Sequence, residues 1–178
     1  DPPTGATFAF PRHEQTFPTL THPEIERMRR FGELRTYRHG EALFETGKPG
    51  PGMFVVLSGH VAITQRDGLG HVSPVIDQGP GQFVAEIGQL SGRVALVDGH
   101  AEGEVETLLI PPDQLRALLV AEAELGERIM RALILRRVGI VVLLVFVATG
   151  LVGVLGPRTS DVAAEGGGYR LVAHHAQI

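Results

Sequence analysis

Between Phe83 and Val97 the chain reads FVAEIGQLSGRVALV, which sets a carboxylate, Glu86, and a guanidinium, Arg93, around a glycine-containing turn. Backbone N–H groups at a turn or helix start, joined by an arginine fork, hold a phosphate oxyanion, while a carboxylate accepts a sugar hydroxyl. A phosphate-bearing ligand is the chemistry this stretch points to. A plainer reading stands beside it. Glu86 would cap the turn's own N–H groups, and Arg93 would be a solvated or ion-paired surface arginine.

Other constellations carry less. Ala42 to Pro49, ALFETGKP, has the Gly-Lys of a phosphate loop, but alanine replaces its first glycine and proline its hydroxyl residue, so the Mg²⁺ and phosphate chemistry is lost. His60 with His71, and His174-His175, lack a carboxylate at ligand spacing and read as surface histidines. Glu102, Glu104 and Glu106 alternate along a strand pattern and share one solvated face. No Gly-x-Ser-x-Gly occurs, and no cysteine, which removes thiolate chemistry, disulfides and Cys-based zinc sites. The expectation is a protein that is not an enzyme and holds no metal.

The elements that must position the turn follow from periodicity. Sixteen Lys and Arg against 20 Asp and Glu give a net charge of −4, which disfavours a nucleic-acid partner. Residues 1–17, rich in Pro and Gly at the start, read as an extended arm without the basic and apolar regions of a secretory signal, and the cytoplasm is the expected location. Thr21, Pro23 and Glu24 open a short helix with Ile25, Met28 and Phe31 on one face and Arg27, Arg29 and Arg30 in solvent. From Glu33 to Ile110 short runs of β-formers alternate with glycines, which predicts an antiparallel barrel or sandwich. Gly40, Gly47, Gly59 and Gly68 are placed at turns, and Arg66 to Gly70 at a hairpin tip. After Pro111-Pro112, Leu115, Leu118, Leu119, Leu125, Ile129, Met130 and Leu133 recur at helical intervals, with Gly126 marking a break between two helices.

Residues 138–178 change character. Val138 to Gly156 carries no charge and follows Arg136-Arg137, which meets the rough length and flank criteria of a membrane span. Its valines and glycines equally suit two buried strands joined at Ala148-Thr149-Gly150, or an interface helix.

The segment Arg38 to Thr64 resembles the cyclic nucleotide-binding domain family. Gly40-Glu41, Leu43-Phe44, Gly47, Phe54, Val56-Leu57 and Gly59 fall in the family's order and spacing. The resemblance covers residues 18–137. It implies a mainly β fold with flanking helices: an eight-stranded double-stranded β-helix, a jelly-roll-like β-roll, with one N-terminal and two C-terminal helices. It also implies a ligand site at Ala85, Glu86, Ile87, Arg93, Val94 and Ala95. The family holds its phosphate with Gly-Glu-x-x-x-Leu and an arginine nine residues after the glutamate. Here Ala85 replaces the glycine, Leu90 keeps the core position, and the ninth residue after Glu86 is Ala95. Arg93 stands two residues early, about 7 Å along an extended strand. Either the turn is two residues shorter and Arg93 takes the phosphate, or the turn keeps its length and its fork is gone.

More narrowly, His13 to Glu33 and Gly88 to Gly99 look like the cyclic nucleotide-binding-like domain at the N-terminus of some bacterial thioredoxin-reductase-like flavoproteins. That implies an attached or partner reductase, with residues 138–178 containing the start of an α/β domain. The tail lacks a Gly-x-Gly-x-x-Gly fingerprint, and Arg158 and Arg170 are its only basic residues, too few for a DNA reader. The expected function is a regulatory ligand-sensing module with a degenerate phosphate cassette. A cyclic nucleotide would be its ligand, with no resident cofactor. A homodimer would form through the C-terminal helices, with Leu125, Ile129, Leu133 and Leu135 supplying apolar surface. The alternatives are a ligandless structural or dimerisation domain and a membrane-anchored sensor.

Overall fold

The computed structural model describes residues 12–85 and 90–148, with side chains described as far as residue 145. Glu86 and Ile87, the first part of the arm, and the tail from residue 149, including His174-His175, lie outside the described residues.

The elements in chain order are α1 (His13–Thr16), α2 (His22–Met28) with a 3-10 turn (Arg29–Phe31), β1 (Glu33–Tyr37), β2 (Ala42–Phe44), β3 (Met53–Arg66), β4 (Val72–Gln78), β5 (Phe83–Val84), β6 (Asp98–Ile110), α3 (Pro112–Ala121) and α4 (Ala123–Ala148). From His13 the arm is not extended but forms one helical turn, because Thr16 and Phe17 are buried against the body. α2 starts where its sequence predicts. The Thr21 side chain accepts from the Glu24 N–H, and the Glu24 carboxylate accepts from the Thr21 N–H at 2.7 Å, a reciprocal cap.

One six-stranded antiparallel sheet runs β1-β6-β3-β4, with β2 on β6 and β5 on β3. Six strands rather than the expected eight are assigned among the described residues, for two reasons. Gly59 does not end a strand. With φ +78° it forms a bulge inside β3, so the runs Met53–Gly59 and His60–Gln65 fuse, and Gly103 at φ +74° does the same in β6. The run Arg93–Val97 makes only isolated bridges, Thr46 to Ala95 and Pro49 to Val94. Long bent strands of this kind serve both faces of a roll. The hairpin tip falls at Arg66–Gly70 as read. Asp67 Oδ1 accepts from the N–H groups of Leu69 and His71, each at 2.8 Å.

Alternation along β3 and β6 separates two cores. Phe54, Val56, Val61, Ile63, Val75, Val84, Val97 and Val105 fill the roll interior, where Ile140 and Leu143 of α4 join them. Met53, Val55, Phe83, Leu108 and Ile110 face outward onto Met28, Leu115, Leu118, Ile129 and Leu133. Met53 to Val56, at the start of β3, are therefore buried on both faces.

The break between the C-terminal helices falls at Glu122, not at Gly126. Gly126 lies inside α4, where a Cβ would sit 2.7 Å from the Leu119 carbonyl oxygen, so glycine there permits close helix packing. α4 continues as helix through Ala148, which overturns the reading of strands over Val138–Ala148. Among the described residues no helix is long and apolar enough to cross a membrane. Leu125, Ile129 and Leu133 are fully packed in the core and present no free surface. The exposed apolar face of α4 is instead Ile134, Val138, Val141 and Val142.

Candidate ligand site

The roll holds a partly open cavity of about 40 Å³, walled by Phe17, Phe44, Ile63, Val75, Ile76, Gln78, Val84, Ala85, Val97, Arg136 and Ile140. Its position follows from the strands. β2, β3, β4, β5 and the segment before β6 supply the inward residues, and Phe17 after α1 joins Arg136 and Ile140 of α4 on the opposite wall.

Of the sequence-predicted site residues, the structure brings Ala85 to this cavity, where it is buried at the end of β5. Ala95 is buried in the roll's core, and its backbone is tied to the loop after β2. Its carbonyl accepts from the Gly47 N–H at 2.9 Å, and its N–H donates to the Lys48 carbonyl at 2.9 Å. Val94 is 43% exposed beside Pro49. Arg93 is exposed and does not line the cavity. It follows Gly92, whose φ of +69° turns the chain just before the bridges begin. Asp98 anchors this end: its Oδ1 accepts from the Thr46 N–H at 2.7 Å, and Arg66 Nη2 lies 3.7 Å from Oδ2.

The polar residues among those that wall the cavity are Gln78 and Arg136. Gln78 ends β4 and is 1% exposed; Arg136, on α4, is 5% exposed. The Arg136 guanidinium is fixed in place. Nε donates to the Thr16 carbonyl at 2.8 Å and Nη1 to the Phe83 carbonyl at 2.7 Å. Its centre lies 4.9 Å from the Phe17 ring centroid and 4.5 Å from that of Phe83, within cation–π range. Burial pulls its pKa down to about 9, so it remains a cation at neutral pH. Arg136 Nη2 and both amide atoms of Gln78 are buried without a hydrogen-bond partner.

Arg136 was legible. Ile129, Leu133, Arg136 and Ile140 fall at i, i+4, i+7 and i+11, one stripe of a helix, so a cation stood at a core position. Gln78 carried no such signal, because a register shift between Ile63 and Thr64 disturbs the alternation of the β3–β4 pair. His60 and His71 are exposed, and His71 Nδ1 pairs with Asp67 at 2.8 Å. Among the described residues no three potential metal ligands cluster. Glu102, Glu104 and Glu106 are exposed, as a solvated face requires.

A bent antiparallel roll, a short capped helix before it, a helix pair after it and a cavity against the second of these helices define a β-roll class of domain. The family model described as "Cyclic nucleotide-binding domain" matches residues 34–122, and the chain belongs to that family. Solved structures agree on the fold. The catabolite activator protein of Thermus thermophilus aligns with a TM-score of 0.62 at 21% identity, over 76% of this chain and 63% of that one. A structure described under a cyclic-GMP-dependent signalling pathway that regulates bacterial phytopathogenesis aligns with a TM-score of 0.57 at 27% identity, over 67% of this chain and 95% of that one. The c-di-GMP responsive global regulator CLP of Xanthomonas campestris gives a TM-score of 0.57 at 23% identity, over 71% and 62%. The match thus spans less than two thirds of the activator and of CLP. None of these three descriptions names a reductase. No curated protein matches the sequence.

Proposed function

We propose that this chain is a non-catalytic regulatory module that senses a cyclic nucleotide in the roll interior and passes its occupancy to α4. One observation carries the reading: the cassette residue Ala85 and the α4 residues Arg136 and Ile140 wall the same cavity. About 40 Å³ suffices for a few water molecules, each needing roughly 10–15 Å³ by this kind of measure. A nucleotide enters only if a wall moves. The strands are locked in a hydrogen-bonded sheet, whereas α4 reaches the roll through side chains, so α4 is the wall that yields. The ligand then stabilises the displaced helix in proportion to its preference for that state.

The cassette is degenerate in this reading, since Arg93 faces solvent and Ala95 stands at the family's arginine position. The descriptions of the cyclic-GMP and c-di-GMP relatives support a nucleotide of this class. Ile134, Val138 and Val141 follow one another at spacings of four and three, the repeat of a helix–helix seam, and support a homodimer through α4. The output suggested by the narrower likeness of residues 13–33 and 88–99 is an attached or partner reductase. Isothermal titration with cyclic AMP, cyclic GMP and cyclic di-GMP tests the reading. At least one nucleotide should bind, and Arg93→Ala should retain its affinity within about threefold. Absence of heat with all three would reject ligand sensing by cyclic nucleotides and leave a structural domain.

A further inference from the structure

We infer that Gln78 and Arg136 together form the subsite that receives the ligand's anionic oxygens, in place of the exposed cassette arginine; this rests on the sensing reading above. Three of the four buried side-chain atoms without a hydrogen-bond partner among the described residues belong to these two side chains, on the wall of one cavity. Buried polar groups are nearly always satisfied, and an unsatisfied one marks a missing partner. The missing partner here has a definite chemistry. Arg136 Nη2 offers N–H donors and a positive charge, while Nε and Nη1 are engaged by carbonyls and the two aromatic rings hold the plane. No carboxylate among the described residues forms an ion pair with it. The Gln78 amide offers a further donor and an acceptor.

The remaining wall is apolar, from Phe44, Ile63, Val75 and Ile140. The pair is therefore matched to an oxyanion carried on an apolar or ring-shaped body. A cyclic phosphodiester and an aromatic carboxylate share that chemistry. A charge-assisted hydrogen bond from a guanidinium to a phosphate or carboxylate is among the strong ones, and loss of such a buried pair costs tenfold or more in affinity.

The test is calorimetric titration of the full chain with cyclic AMP, cyclic GMP, benzoate and the neutral analogue benzamide. Wild type is compared with Gln78→Met, Arg136→Lys and Arg93→Ala, each checked for native circular dichroism. The expected result is that an anionic probe binds wild type and benzamide does not. Gln78→Met and Arg136→Lys should weaken binding at least tenfold, and Arg93→Ala by less than threefold. Whether the nucleotide or the benzoate arm responds names the source of the oxyanion. Binding by Gln78→Met within threefold of wild type, with loss in Arg93→Ala, would overturn the subsite while leaving nucleotide sensing intact. No anion binding to wild type would overturn the subsite and, if it includes cyclic di-GMP, the sensing reading too. If Arg136→Lys does not fold, Gln78→Met decides alone, since it removes the amide at nearly constant volume and touches no backbone partner.

Discussion

Glu24 caps its own helix and ties it to α4 through one carboxylate. It accepts from the Thr21 N–H and hydroxyl and pairs with Arg128 of α4. Burial alone would raise its pKa, but the Thr21 hydrogen bonds and the charges of Arg128 and Arg27 outweigh it and hold the carboxyl below its ordinary value. A folded-state pKa below the unfolded one gives stability that is present above the unfolded value, near pH 4, and lost as pH falls through the folded value. Glu24→Gln should therefore flatten the acid limb of stability, read as urea midpoints between about pH 5 and pH 3. Thr21→Ala should cost about 1 kcal/mol by the same measurement at neutral pH, the usual worth of an N-cap. This cap was legible because its partners sit three residues apart. The role of Arg136 was veiled, since an arginine beside Arg137 and an apolar run reads as a flank unless its position on the stripe is followed.

Elements bend and pack where glycine lets them, and here the sequence misleads in a regular way. A glycine between two β-runs reads as a turn, but Gly59 carries β3 onward through a bulge against the Glu104 carbonyl, 2.3 Å from where a Cβ would lie. Gly59→Ala should destabilise by roughly 2 kcal/mol or more, from left-handed strain together with the clash. Gly126→Ala should cost about 1–3 kcal/mol by pushing α4 from α3 at Leu119. Both are measured by chemical denaturation. Over Val138–Ala148 the sequence left helix and strands both open for a related reason: valine favours strands intrinsically, but here Ile140 and Leu143 bury against the roll and tertiary packing overrides propensity. The order of β-runs and flanking helices, by contrast, was readable because local period and turn chemistry agree.

At the scale of the whole molecule, α4 carries two faces with different duties. Arg136, Ile140 and Leu143 face the roll, and Ile134, Val138 and Val141 face outward. Under the proposed function, a helix set between the ligand cavity and a second copy would convert occupancy into a change at the interface. Val138→Glu with Val141→Glu should shift sedimentation velocity from dimer toward monomer while leaving the circular dichroism of the roll unchanged. The most direct test of the account is hydrogen–deuterium exchange of the full chain with and without whichever cyclic nucleotide binds in calorimetry. Coupling predicts that binding changes protection along α4 between Arg136 and Leu143 as well as in β4 and β5. Bound nucleotide with unchanged exchange in α4, or no nucleotide bound at all, would contradict it.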